Sequence, residues 1–267
     1  MNVVDTAKSL RRAMLDRALP QRFVFHHVPK CGGTSVGRAL RKRYLLSQAT
    51  VVPESSFRAF EAFTGRSDRE RMLVDVLDLR EQMLLYLMYE DVRCISLHVR
   101  FSEVAYDRFR ERYKFITILR DPAARFLSHY NWSFDKPNAH ARIEEPLEEF
   151  LTTDRARQMG ASYSEFFSGL PSDADFGSAE AIERAVLNLK KFSAVGRLDD
   201  LDGFRAQLRD RLGIRVRIGH ENRGGKGRSS LTLSDLAPET KAEIQRICAP
   251  DIAVYERAFA GGMDVRA

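Results

Sequence analysis

Phe23-Val24-Phe25-His26-His27-Val28-Pro29-Lys30-Cys31-Gly32-Gly33-Thr34-Ser35 is the stretch from which this chain is best read. A short apolar run rich in β-branched and aromatic residues stops at Pro29. The chain then passes through a lysine and two glycines into Thr34-Ser35 and a run of good helix formers, Val36 to Tyr44. The pattern predicts strand, tight loop, helix. Glycines at 32 and 33 allow a sharp turn and a close approach of backbone to ligand. The unpaired N–H groups of the first helical turn then point at the loop, an arrangement that favours an anion. Lys30 adds a full positive charge, Thr34 and Ser35 add hydroxyl donors, and the backbone of Cys31, Gly32 and Gly33 completes a phosphate cradle.

Two familiar cradles do not fit. A Walker A loop needs lysine after its second glycine, followed by Ser or Thr; here Lys30 precedes both glycines. A dinucleotide fingerprint needs Gly-x-Gly-x-x-Gly at the helix start, and none opens this helix.

A second segment runs Lys114-Phe115-Ile116-Thr117-Ile118-Leu119-Arg120-Asp121-Pro122-Ala123-Ala124-Arg125-Phe126-Leu127-Ser128-His129-Tyr130. Phe115 to Leu119 reads as a buried strand, and Asp121-Pro122 as the opening of a helix whose first turn proline favours. Arg120 thus falls at the carboxyl end of a strand, where open α/β sheets put their ligand crevices. Ser128, on the following helix, can reach the same anion.

Together these segments resemble carbohydrate sulfotransferases, enzymes that use 3′-phosphoadenosine 5′-phosphosulfate (PAPS). The nearest pattern is the heparan sulfate 2-O-sulfotransferase-like group and its bacterial relatives. His27 to Ser35 is similar to the family's 5′-phosphosulfate loop, His-x-Pro-Lys-Thr/Cys-Gly-Gly/Ser-Thr-Ser. Arg120 to Tyr130 is similar to its 3′-phosphate motif, Arg-Asp-Pro-x-x-Arg-x-x-Ser-x-Tyr. The resemblance implies a P-loop-like three-layer α/β fold, a central parallel sheet with helices on both faces. It also implies PAPS as donor, adenosine 3′,5′-bisphosphate as product, no metal, and a hydroxyl-bearing acceptor such as a glycan or glycolipid. Lys30 and residues 31–35 would hold the phosphosulfate, and Arg120 and Ser128 the 3′-phosphate.

Between the motifs, Val92 to Val99 reads as a strand carrying His98 near its end. The family has a histidine after this strand that deprotonates the acceptor, and His98 matches it by position, although the family's fuller version carries two. A sugar hydroxyl needs such a base, because it is a poor nucleophile with its proton in place. His26 and His27 are the alternatives, though beside Lys30 they suit the shaping of the loop better. Further on, Phe192 to Leu201 is similar to the family's last strand and helix. Asn222 to Ser230, with Lys226, suits a flap over the 3′-phosphate, and Asp251 to Glu256 resembles the terminal helix.

The 267 residues, 44% hydrophobic, suffice for a substantial core, and no repeat or linker divides them. The expectation is one domain over 1–267, with a lead-in at 1–21, the 5′ region at 22–44 and the 3′ region at 113–134. Strand-like runs at 22–28, 92–99, 113–119 and 192–196 alternate with helical stretches, as in a parallel sheet. The longest helical stretch, Asp68 to Glu90, is expected to turn Leu73, Val76, Leu77, Leu84, Leu87 and Met88 into the core. Residues 135–175 have weak periodicity; by resemblance they line the acceptor cleft.

A net charge of +6 favours anionic ligands. Nucleic acid is the poorer fit: basic residues are interleaved with acids, and no zinc-finger, RRM or homeodomain pattern occurs. Cys31, Cys94 and Cys248 have neither paired nor metal spacing. The first 22 residues lack an apolar run long enough for a signal or a membrane anchor. These features are expected of a soluble, cytoplasmic, bacterial chain. Two rival activities stay open here. A kinase-like phosphotransferase would need a carboxylate-held magnesium ion for which no ligand set is visible. A nucleotide- or polyanion-binding protein would use the cradle without turnover.

Overall fold

The computed structural model describes residues 3–66, 68–134, 136, 141–219 and 231–260. Its centre is a five-stranded, all-parallel sheet with the spatial order β2-β3-β1-β4-β5. The strands are β1 (Phe23–His26), β2 (Gln48–Thr50), β3 (Cys94–Leu97), β4 (Lys114–Leu119) and β5 (Ala194–Arg197). The four strand-like runs of the sequence became β1, β3, β4 and β5, each trimmed at its ends. The edge strand β2 escaped the reading: it has three residues, none fully buried, and so no continuous apolar run.

β1, β3 and β4 are buried along nearly their whole length, as expected of parallel strands covered by helices. β1 lies in the middle. Phe23 and His26 pair with Cys94 and Leu97 on one side, and with Lys114 and Thr117 on the other. Strand order diverges here: β2 and β3 lie to one side of β1, β4 and β5 to the other. The loops leaving β1 and β4 therefore part at the carboxyl edge of the sheet and open a crevice.

Helices flank the sheet. Gly33–Arg43 follows β1, and Pro122–Phe134 follows β4. The long helix Arg69–Tyr89 buries Val76, Leu77, Leu84 and Met88. Leu87 is half-buried and packs against the core, whereas Leu73, also half-buried, lines the crevice, which corrects the expectation for Leu73. One large apolar cluster surrounds the sheet. A second joins Pro122–Phe134 to the helices at 147–160 and 238–247.

Candidate active site

The turn after β1 is tighter than its glycines alone suggest. Gly32 has φ 71° and is the N-cap of Gly33–Arg43, but Lys30 also takes a left-handed conformation, φ 66°. A lysine there is strained, and such strain is tolerated where surrounding structure imposes it, often at ligand sites. Gly32 makes no side-chain cap, so the first N–H groups of the helix keep no side-chain partner. Gly32 is required by its left-handed backbone, and a Cβ on Gly33 would run into the imidazole of His27.

Arg120 follows directly on β4, and its Nη1 donates to the Lys30 carbonyl at 3.4 Å, so the two motifs meet across the crevice. The buried phenol of Tyr163 supports the same junction. It accepts from the Arg120 N–H at 2.9 Å, donates to the Arg120 carbonyl, and lies 3.5 Å from Cys31 Sγ. Cys31 is fully buried, and burial pushes its thiol up to about 11. Its side chain belongs to this support and is not among the residues that line the cleft, which leaves only its backbone to the expected cradle. Arg125 of the same motif also turns inward. It donates to the Met159 carbonyl, pairs with Asp251 at 3.2 Å and packs over the Tyr163 ring, tying the motif to the helix Ala249–Phe259.

The three neighbouring histidines differ in role. His26 is inside the sheet, packed against Phe115 and Phe192, with Nδ1 donating to the Val99 carbonyl. Burial lowers its pKa to about 4, and its side chain does not line the cleft. His27 packs on Gly33 and stacks on His98 with ring centroids 4.0 Å apart. His98 lies just beyond β3, and its Nδ1 is 2.6 Å from the His27 carbonyl. A carbonyl can only accept, so Nδ1 carries the proton. In the neutral ring Nε2 is then a free lone pair. Burial, and secondarily the charge of Arg80, lowers the His98 pKa to about 4, partly offset by the bond to His27.

These groups share one cleft of about 1200 Å³. Lys30, Gly32 to Ser35, His98, Arg120 and Ser128 all line it; Lys226 lies outside the described residues. Desolvation, then the charge of Arg120, lowers the Lys30 pKa, and its ammonium lies 5.3 Å from the Trp132 ring. Segments of the weakly periodic region contribute Arg155, Gln158, Ser162 and Glu165. Glu165 is a buried carboxylic acid that desolvation pushes up to about 7.

The sequence reading missed Arg80, Trp132 and Glu165. Trp132 has a signal in retrospect: it is four residues after Ser128 and so shares its helical face. Arg80 has one too, because it interrupts the apolar stripe Leu77, Leu84, Met88 of its helix at helical spacing. It is buried, with Nε and Nη2 donating to Ser56 Oγ and Nη1 to the His98 carbonyl. Desolvation alone lowers its pKa, to about 10, and no carboxylate among the described residues pairs with it. Glu165 has no comparable signal in the sequence.

The described residues contain no group of three or more His, Cys, Asp or Glu able to hold a metal, and no described helix long and apolar enough to cross a membrane. A search of characterised proteins finds no match. The family model described as "Sulfotransferase family" matches residues 15–256, nearly the whole chain and both anion motifs. With a parallel α/β sheet, a lysine–glycine cradle after the central strand and an arginine–serine pair after the next strand over, this chain belongs to the Sulfotransferase family, whose enzymes use PAPS.

Proposed function

We propose that this enzyme moves the sulfuryl group of PAPS to a hydroxyl of a carbohydrate acceptor bearing an acidic group, with His98 as general base. The observation that carries the reading is the fixed tautomer of His98. Its Nδ1–H is committed to the His27 carbonyl, so Nε2 is the basic atom, in the same cleft as Lys30 and Arg120. The fit to the donor rests on two features of the loop. The left-handed turn at Gly32 leads directly into a helix whose first N–H groups have no side-chain cap, and Lys30 is a desolvated cation with no carboxylate partner among the described residues.

The donor supplies an activated sulfuryl group on a phosphate leaving group. Lys30 and the N–H groups at the start of Gly33–Arg43 would hold the phosphosulfate and offset charge that grows on the departing phosphate. Arg120 and Ser128 would hold the 3′-phosphate, and His98 Nε2 would take the acceptor hydroxyl's proton. Lys226 belongs to the same proposal as a cover over the 3′-phosphate.

Arg80 supports an acidic acceptor. A guanidinium has five N–H donors. Three bonds are made here, which leaves one N–H on each terminal nitrogen. A carboxylate or sulfate ester beside the reacting hydroxyl suits that pair. The rest of the lining agrees: among the described residues it carries Lys30, Arg120, Lys136 and Arg155 against one carboxyl, that of Glu165.

Calorimetry without magnesium tests the donor assignment. Adenosine 3′,5′-bisphosphate should bind at least tenfold more tightly than ADP or AMP, and quenching or enhancement of Trp132, the only tryptophan, should follow the same isotherm. Equal affinities, or a strict need for magnesium, would overturn the reading.

A further inference from the structure

The helix Val3–Ala18 buries only Leu15. It is held at the amino edge of the sheet by ion pairs of its own Asp16 with Arg22 and Arg93, and of Arg12 with Asp91. Another side of the helix carries Val3, Ala7, Leu10 and Met14, spaced four, three and four residues, which forms one apolar stripe along its length. Beside it is the loop dipeptide Leu45-Leu46, brought there by the bond from Arg11 Nη2 to the Leu46 carbonyl at 3.2 Å. Leu10, Met14, Leu45 and Leu46 are between 62% and 71% exposed, which makes four large aliphatic side chains on one edge of the molecule.

The charges around this patch are of one sign. Arg11 and Arg17 flank the stripe, and the exposed Lys42 and Arg43 precede the leucine pair. The acids nearest them are otherwise engaged: Asp16 pairs with Arg22 and Arg93, and the buried Asp91 with Arg12, Arg22, Arg93 and Arg112. A second copy of the chain would therefore bring like charges together across a stripe of only two heptads. An apolar strip rimmed by Arg and Lys, on a helix lying along the surface, fits a lipid bilayer with anionic headgroups.

We propose that the face formed by Val3–Ala18 and Leu45-Leu46 adsorbs reversibly to anionic membrane surfaces, with the leucines and Met14 at the headgroup–acyl boundary and the four basic side chains among the headgroups. The attachment lies on the membrane and does not span it. Because the patch is at the amino edge of the strands and the cleft at the carboxyl edge, adsorption leaves the cleft open.

Co-sedimentation with vesicles of phosphatidylglycerol and phosphatidylcholine, against pure phosphatidylcholine, tests this. The protein should partition at least tenfold more strongly to the anionic vesicles. The effect should weaken as salt rises, and fall at least tenfold in Leu10→Glu/Met14→Glu and separately in Leu45→Ser/Leu46→Ser. These positions are exposed, so melting temperature and affinity for adenosine 3′,5′-bisphosphate should stay unchanged; that bisphosphate assay reports the cleft independently of the membrane face. Equal partition to the two vesicle types overturns the proposal, as does undiminished binding by both double variants. A lipid-free dimer that Leu10→Glu/Met14→Glu converts to monomer also overturns it, because a second copy then covers the face.

Discussion

Replacing His98 by asparagine separates its chemical role from its structural one, because an amide N–H can still meet the His27 carbonyl. In the wild type, burial lowers the imidazole pKa from the usual 6.5 to about 4. At 1.36 kcal/mol per pH unit, protonating His98 at its buried position costs about 3 kcal/mol more than in water. Two consequences follow. In the donor-free enzyme the ring is neutral through the whole range from pH 8 to 5.5, so kcat/KM for the donor at low acceptor should be flat there. The same difference acts on stability. The unfolded chain takes the proton first, so the contribution of this group is complete above pH 6.5 and is lost as pH falls towards 4. His26, also held near 4 by burial, adds a loss of the same sign in the same window. Denaturant melts of wild type and His98→Asn at matched pH should therefore show the difference between them change from about pH 6.5 down to 4, a window in which Glu165 and Asp251, raised to about 7 by burial, act with the opposite sign in both proteins. The His98→Asn variant should lose about 10²–10⁴ in kcat, the usual worth of a general base, and bind adenosine 3′,5′-bisphosphate as the wild type does. A wild-type limb centred near 6.5 would refute the desolvation argument, and near wild-type turnover in His98→Asn would refute the role of base and direct attention to Glu165.

Arg120→Ala should weaken bisphosphate binding by about 1.5–3 kcal/mol, read by calorimetry and as a raised donor KM, since a remote phosphate contributes mostly uniform binding; unchanged affinity would leave Arg120 with only its bond to the Lys30 carbonyl. Arg80→Gln should raise KM for an acidic acceptor by about tenfold to a hundredfold, as expected for one charge-assisted pair, with bisphosphate affinity intact. A neutral acceptor turned over equally well by both enzymes would count against the acidic-acceptor assignment. Arg125→Met should cost about 3–5 kcal/mol in urea melts by stranding buried Asp251, and Arg125→Met/Asp251→Asn should recover part of it. A loss under 1 kcal/mol in the single variant would show that the pair is not what ties the motif to the last helix.

Both anion motifs were legible in the sequence because each is local. Strand, turn and helix follow one another within a dozen residues, and their chemistry depends on backbone N–H groups and on residues beside them in the chain. Four of the five strands were legible for the same reason, since a fully buried parallel strand writes itself as a continuous apolar run. What separates His26, His27 and His98 is not local. The three are neighbours in a pleat or a loop, yet one is shut among Phe115 and Phe192, one packs on Gly33, and one is fixed in its tautomer by a carbonyl from another strand. Arg125 and Arg120 stand five residues apart in one motif, but helix rotation sends the first to Asp251 and the second to the cleft. Arg80, Trp132 and Glu165 come from three separate helices and become site residues only when those helices converge on the carboxyl edge of the sheet. Sequence determined four of the five strands and the two loop motifs at the crevice, because those follow from periodicity and turn chemistry. Tertiary packing alone decided which charges are buried without a partner and which nitrogen of which histidine is free, because both depend on groups distant in the chain.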